Sequence, residues 1–260
     1  MPKLTVTVIT RNESANIDAA LASVAWADEI VVVDAESTDD TVAAARRHTE
    51  RVYVRAWPGY GAQKNHAAAL ASHDWILSLD ADERVTPALA TEIQTLLARE
   101  PERRGYRIPR LSDYLGRWIS GTDWYPDYQL RLYDRRAGEW LSRRVHESVK
   151  LSGEPGVLRN DLQHFPYKDI SDHLGTIDRY TTLAAEQLQA DRRVPSILGV
   201  AVHPPLAFLR NYVLRGGFRN GSAGLIVSAL NSYYVFLKLA KARERGTRAA
   251  SEGSGERAPR

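Results

Sequence analysis

The sequence predicts an α/β protein built on a mostly parallel sheet with helices on both faces, and three features predict it. From Leu4 to about Leu97 the chain alternates between strand-like and helix-like periodicity. The strands are nearly continuous apolar runs, as strands covered on both faces are. Two of them end directly in a carboxylate, Val33-Asp34 and Leu79-Asp80, at the strand edge where such sheets bind ligands.

Taken in order, Leu4 to Ile9 is a β-branched first strand, and it stands where a secretory leader would need a long apolar stretch. Ile17, Leu21 and Val24 follow at i, i+4 and i+7, the spacing of one helix face. Glu29 to Val33 is a second strand, and Ser37 and Thr38 offer N-caps for a helix through about Arg47. Arg51 to Val54 is a short strand, and a helix follows Gly59 and Gly61. Trp75 to Leu79 is a strand, after which Thr86-Pro87 opens a helix with Leu89, Ile93 and Leu96 on one face. From Gly105 to about Val157 short aromatic and Arg-rich strands predict an antiparallel extension, and a helix spans Asp172 to Gln189. The predicted division is a catalytic domain over 1–195, an amphipathic helical region over 196–245 and a disordered tail over 246–260.

Composition narrows the class. A chain that is 43% hydrophobic and 26% charged is neither wholly disordered nor polytopic in a membrane. With no cysteine it has no disulfide framework and no thiolate metal site. The net charge of +3 hides an asymmetry, because eight Lys and Arg between His203 and Arg248 face the single acid Glu244. No nucleic-acid recognition motif accompanies that basic end.

The chemistry concentrates at Asp80-Ala81-Asp82-Glu83. Three carboxylates at a strand end repel one another, and a hard divalent ion, Mg²⁺ or Mn²⁺, shared with ligand phosphates relieves that repulsion. Asp34 ends the neighbouring apolar run and can accept hydrogen bonds from a base or ribose. Thr10-Arg11-Asn12-Glu13 follows the first strand, so Arg11 can pair with phosphate and Thr10 or Glu13 with a nucleoside. Lys64-Asn65 opens a helix behind two glycines, where backbone donors and a lysine can meet a diphosphate.

These motifs, in this order and spacing, resemble the family 2 glycosyltransferases of GT-A fold over roughly residues 4 to 190. Trp124-Tyr125-Pro126-Asp127-Tyr128-Gln129-Leu130-Arg131 and Val145-His146-Glu147 resemble the bacterial lipopolysaccharide-core glucosyltransferase branch within that family. The resemblance implies a UDP-hexose donor, a lipid-linked glycan acceptor and a divalent metal. It places Asp34 at the nucleobase, Asp80 at the ribose and Asp82 on the metal, as a DXD motif, and makes Asp127 the general base. It further implies that Trp124, Tyr125, Gln129, Arg131 and Glu147 bind the acceptor. Glu147 also competes with Asp127 as base, and His146 joins the metal, with His164 as the alternative. Arg135, Arg136, Arg143 and Arg144 add basic charge around that side. A sugar-nucleotidyltransferase and a noncatalytic nucleotide-binding scaffold at a membrane are the rival classes. The first wants a glycine-rich basic loop where Thr10-Arg11-Asn12-Glu13 stands, and the second has no use for Lys64, Asp82 and Asp127 together.

Ser222 to Ala240 is long enough to approach a membrane span but is interrupted by Asn231, Ser232 and Lys238. Its aromatic residues and the flanking Arg210, Arg215, Arg219, Lys241, Arg243 and Arg245 predict a helix lying on anionic lipid. With the resemblance, that implies a peripheral protein on the cytoplasmic face of a bacterial inner membrane.

Overall fold

The computed structural model describes residues 2–141, 148–191 and 193–255. The chain divides into two compact units, Met1–Ser112 with Pro126–Phe165, and Asp113–Tyr125 with Pro166–Arg260.

The first unit opens with β1 (Leu4–Thr10), α1 (Ile17–Ala22), β2 (Glu29–Asp34), α2 (Thr41–Ala45), β3 (Val52–Val54), α3 (Tyr60–Leu70) and β4 (Trp75–Asp80). β5 (Glu83–Val85), α4 (Pro87–Leu97) and β6 (Gly105–Tyr114) follow. β7 (Arg117–Ile119) belongs to the second unit, and the chain then returns through β8 (Asp127–Asp134), β9 (Gly138–Trp140), β10 (Val149–Leu151), β11 (Gly156–Val157) and β12 (Leu162–His164).

The main sheet has the order β3-β2-β1-β4-β8-β6-β12-β5. The first four strands are parallel, β8 pairs antiparallel with both β4 and β6, and β12 pairs parallel with β6 and antiparallel with β5. The chain moves outward from β1 to β3 and then crosses back to place β4 on the other side of β1. That reversal creates a crevice beyond the strand ends, between the loops leaving β1 and β4.

β1 is buried along its whole length, and its alternation divides the core. Leu4, Val6 and Val8 join Ile17, Leu21, Leu89 and Ile93 on one face. Ile9, Val31 and Val33 meet Ala67 of α3 on the other. Each fully buried aliphatic side chain contributes about 1.5–3 kcal/mol. α4 starts where expected, with the Thr86 hydroxyl accepting from the Leu89 amide and Pro87 in the first turn.

One local expectation fails. The helix predicted from Ser37 and Thr38 to Arg47 is only Thr41–Ala45, and neither residue caps it. The Ser37 amide and hydroxyl both donate to Asp34, and the Thr38 amide donates to Asn12 Oδ1 at 2.8 Å, so these residues stitch two loops together instead.

The second unit carries the turn between β6 and β7, whose two residues Leu115 and Gly116 both have positive φ, the twist that a tight hairpin needs. α5 (Ile170–Ala190), α6 (Ile197–Leu209), a π-helical turn (Arg210–Leu214), a 3₁₀ turn (Gly217–Asn220) and α7 (Gly221–Gly255) complete it. α5 groups here rather than with the sheet because it lies along α7, burying His173, Ile177, Thr181 and Ala185 at four-residue intervals. α7 runs past Gly246, where composition predicts a structureless tail. Gly246 has no side chain to keep Val194 away, since a Cβ there would lie 2.7 Å from it.

Candidate active site

The loops after β1 and β2 form a zipped edge. Asn12, held at φ +55°, accepts from the Thr38 amide, while its own amide donates to Ser37 Oγ at 2.8 Å. The Glu13 amide donates to Thr41 Oγ1 at 2.8 Å, and Glu13 Oε2 accepts from Asn16. Asp34 is fully buried at the end of β2, both carboxylate oxygens occupied by Ser37. Thr10 stands beside it across the β1–β2 register, buried, with a hydroxyl that has no protein partner. Arg11 is exposed.

α3 contributes two fully buried polar residues. Gln63 has neither amide atom satisfied by the protein. It sits one turn before Ala67, which rests on Ile9, Val31 and Val33, so the helix carries it toward the ends of β1 and β2. Lys64 Nζ lies 2.9 Å from Asp80 Oδ1 and 4.4 Å from the centre of the Trp140 ring. Asn65 exchanges two 2.8 Å hydrogen bonds with the Trp140 backbone. Its amide therefore fastens α3 to β9, where the sequence implied a donor contact.

The acid cluster does not repel itself as the sequence implies. Asp80 is flanked by Lys64 and Arg131; burial favours its protonated form, and these two cations override that and hold it far below the usual carboxylate range. Glu83 is wholly buried, with Oε1 accepting from Arg131 at 2.6 Å and from Arg110 at 3.2 Å, and Oε2 from the Asp80 amide at 3.0 Å. Arg131 is itself 4% exposed, and although burial disfavours its charge, Asp80 and Glu83 raise its pKa. Its guanidinium is engaged by both acids of the cluster, where the sequence implied an acceptor contact. Ala81 is buried in the turn.

Asp82 is the acid of this cluster that meets no Lys or Arg among the described residues. Its carboxylate lies 3.4 Å from His164 Nε2, and the other nitrogen of that ring is 2.9 Å from Ser112 Oγ. A partly buried imidazole oriented through its far nitrogen, next to a carboxylate, is a donor pair suited to Mg²⁺ or Mn²⁺ that draws its remaining ligands from phosphate and water. Among the described residues no group of three or more His, Asp or Glu gathers at one point. His146, Glu147, Arg143 and Arg144 lie outside the described residues.

On β8, Asp127, Gln129 and Arg131 alternate onto one face. Asp127 pairs across the sheet with Arg110, whose Nε and Nη2 donate to its Oδ2 at 2.9 and 2.6 Å. Gln129 Nε2 donates to Oδ1 at 2.6 Å. Arg135 and Arg136 turn to Asp74 and Asp134 and to backbone carbonyls of α3 and the turn after it.

In the second unit Trp124 belongs to an aromatic group. Its ring centre is 5.4 Å from Tyr114, 6.0 Å from Tyr167 and 5.7 Å from His173. Tyr125, half-buried, is two residues before Asp127 in the chain.

Sequence reading missed Gln63, Arg110 and Trp140, and saw Glu83 only as part of the acid run. Gln63 alone left a signal, as the polar residue one turn ahead of the apolar positions of α3.

The chain is similar to several known proteins. The chain is 32% identical to the lipopolysaccharide core biosynthesis glycosyltransferase LpsC of Rhizobium meliloti, over 94% of each. It is 31% identical to an uncharacterized glycosyltransferase of Rickettsia typhi, over 94% of this chain and 88% of that one. Among solved structures, glucosyl-3-phosphoglycerate synthase of Mycobacterium tuberculosis, in complex with Mg²⁺ and uridine-diphosphate, aligns over 44% of each chain at 24% identity and a TM-score of 0.37. The family model for glycosyl transferase family 2 matches residues 5–141, the stretch holding β1 through β9 with the acid cluster and Asp127, and the chain is a member of that family, an α/β enzyme of GT-A type.

Proposed function

We propose that this glycosyltransferase is an inverting, metal-dependent enzyme that moves a hexose from a UDP-hexose, with UDP-glucose the first candidate, to a lipid-linked or lipopolysaccharide-core glycan. The unsatisfied polar groups at the crevice carry the assignment. Thr10 Oγ1 and both amide atoms of Gln63 are buried without a protein partner. An unmet buried group costs about 1–3 kcal/mol. A nucleoside with paired donors and acceptors along one edge satisfies all three.

The remaining residues take roles around that nucleoside. Asp80, held ionised, faces the ribose, and Lys64 beside it neutralises charge on the diphosphate. Asp82 and His164 would hold the metal, with His146 as the other candidate ligand. When bound, that ion supplies Lewis-acid stabilisation of the departing diphosphate. An acceptor hydroxyl oxygen bonds to the anomeric carbon as Asp127 takes its proton, and the bond from that carbon to the β-phosphate oxygen breaks with its electron pair leaving on UDP. A single displacement of this kind inverts the anomeric centre. The likeness to LpsC along almost the whole chain supports the lipopolysaccharide-core acceptor.

Two helical stretches, Ile197–Leu214 and Gly217–Thr247, are long and apolar enough to cross a membrane by length and composition. The exposed apolar surface is greatest on the first, with Ile197, Leu198 and Leu214 at 67%, 69% and 81% exposure, whereas α7 buries Ala223, Val227 and Ala242. This favours peripheral attachment to the cytoplasmic face of the inner membrane through α6 and the turns after it, with Arg210, Arg215 and Arg219 at the headgroups.

UDP release from a panel of UDP-hexoses, with Mn²⁺ or Mg²⁺ and an extracted lipid acceptor, tests the proposal. Turnover that needs both metal and acceptor supports it. Equal turnover by Asp82→Ala, or no turnover with any UDP-hexose, refutes it.

A further inference from the structure

Six charged side chains of the first unit form one unbroken chain of alternating sign: Lys64, Asp80, Arg131, Glu83, Arg110 and Asp127. Three cations and three anions cancel. Glu83 at its middle is fully buried, and Arg110 is one-fifth exposed. Isolated charges at such depth are costly, and pairing with hydrogen bonds to the charged atoms is what makes them tolerable.

We propose that Arg110 is a positioning residue for the transfer step, acting through Asp127, and that Asp127 Oδ1 is the atom that accepts the proton. The inference rests on Asp127 being the base. Each carboxylate oxygen has two lone-pair sites. Arg110 fills both on Oδ2, through Nε at 2.9 Å and Nη2 at 2.6 Å. Gln129 fills one on Oδ1 at 2.6 Å. A single site on Oδ1 is left for an incoming hydroxyl, so the direction of proton transfer is set before the acceptor arrives. Arg110 holds this orientation because its third nitrogen is tied to Glu83. Glu83 is tied in turn to Arg131 and to the Asp80 amide, so base and donor-side aspartate are parts of one lattice. Although burial works against its charge, Glu83 and Asp127 raise the pKa of Arg110, so the clamp stays charged.

A lost orienting contact of this kind costs on the order of 10²-fold in rate. The test compares Arg110→Ala, Arg110→Lys and Asp127→Asn by steady-state UDP release, with and without guanidinium ion at tens of millimolar. Arg110→Ala is expected to lose about a hundredfold in kcat while the donor KM moves less than about threefold. Arg110→Lys, which keeps the charge but not the fork, is expected between it and the native enzyme. Guanidinium is expected to restore part of the rate to Arg110→Ala and none to Asp127→Asn. If Arg110→Ala fails to fold, the same split between kcat and KM is read from Arg110→Lys. Native kcat in both Arg110 variants, or a loss confined to KM and untouched by guanidinium, overturns the inference while leaving the base in place. Full turnover in Asp127→Asn removes the base itself, and the inference with it.

Discussion

The two units of this glycosyltransferase handle charge in opposite ways. In the first, ionised groups are drawn into the sheet edge and paired: Glu83 and Lys64 are almost without exposure, yet each meets opposite charge. In the second, arginines stand at the surface while leucines and valines of α6 are left uncovered. Asp123 there binds Arg210 and Arg215 together, an exposed arrangement worth little energetically. Burial makes a charge rigid and expensive to move, which suits groups that must meet a reacting atom in one geometry. Exposure leaves charge free to follow a headgroup layer, which suits attachment.

The largest effect is expected at Asp127, the proposed base. Asp127→Asn is expected to cut kcat by about 10²–10⁴-fold, since that is the range for losing a general base. UDP release at saturating donor measures it, and a loss under tenfold would separate the sheet edge from catalysis.

Next comes the buried lattice. Glu83→Ala leaves Arg131 and Arg110 without their shared acceptor, and the cost expected for an uncompensated buried charge is about 3–5 kcal/mol in denaturant unfolding. By contrast Asp123→Ala, removing the partner of the half-exposed Arg210 and Arg215, is expected to cost less, about 1 kcal/mol or less for each ion pair. Similar costs for the two would erase the distinction between the units.

The second unit holds a buried histidine whose titration bears on stability. His173 is stacked on Tyr167 at 4.0 Å with Nδ1 3.0 Å from the Tyr114 hydroxyl, and burial pushes its pKa down to about 4, against a smaller opposing pull from Asp172. The native state therefore resists a proton that the unfolded chain takes up near pH 6.5. Stability from this source is complete above that value and drains away as pH falls toward 4, by about 3 kcal/mol in all. Unfolding curves at pH 7, 5.5 and 4.5 should show the decline in the native protein and a flatter one in His173→Phe.

The smallest effect belongs to the uncovered face. Leu206→Ser or Leu214→Ser is expected to weaken cosedimentation with anionic vesicles by about 1–2 kcal/mol each, the value of exposing part of a leucine, with UDP release from soluble acceptor unchanged. Undiminished vesicle binding in the double variant would move the attachment site elsewhere, back to α7.

Local pattern exposed some of this and hid the rest. The apolar runs ending in Asp34 and Asp80 marked β2, β4 and the crevice, because strand burial and strand termination are written in consecutive residues. Ser37 and Thr38 misled, because the same hydroxyls that cap helices also bond a nearby carboxylate, and Asp34 three residues back claimed Ser37. Asn65 looked free to meet a donor until the fold brought Trp140 to it across 75 positions. His164 faces Asp82 only because β12 pairs with β5.

The sequence by itself determined the class of fold, the family and the identity of the acids at the strand ends, since each depends on short-range periodicity and adjacency. Only the tertiary structure decided which of those acids are already neutralised. Asp80 and Glu83 are balanced by Lys64, Arg110 and Arg131, which arrive from α3, β6 and β8, whereas among the described residues Asp82 meets only the imidazole of His164. The physical reason is that ion pairing depends on a few ångströms of separation, and that separation between residues far apart in the chain is set by strand order and register, which no local stretch of sequence records.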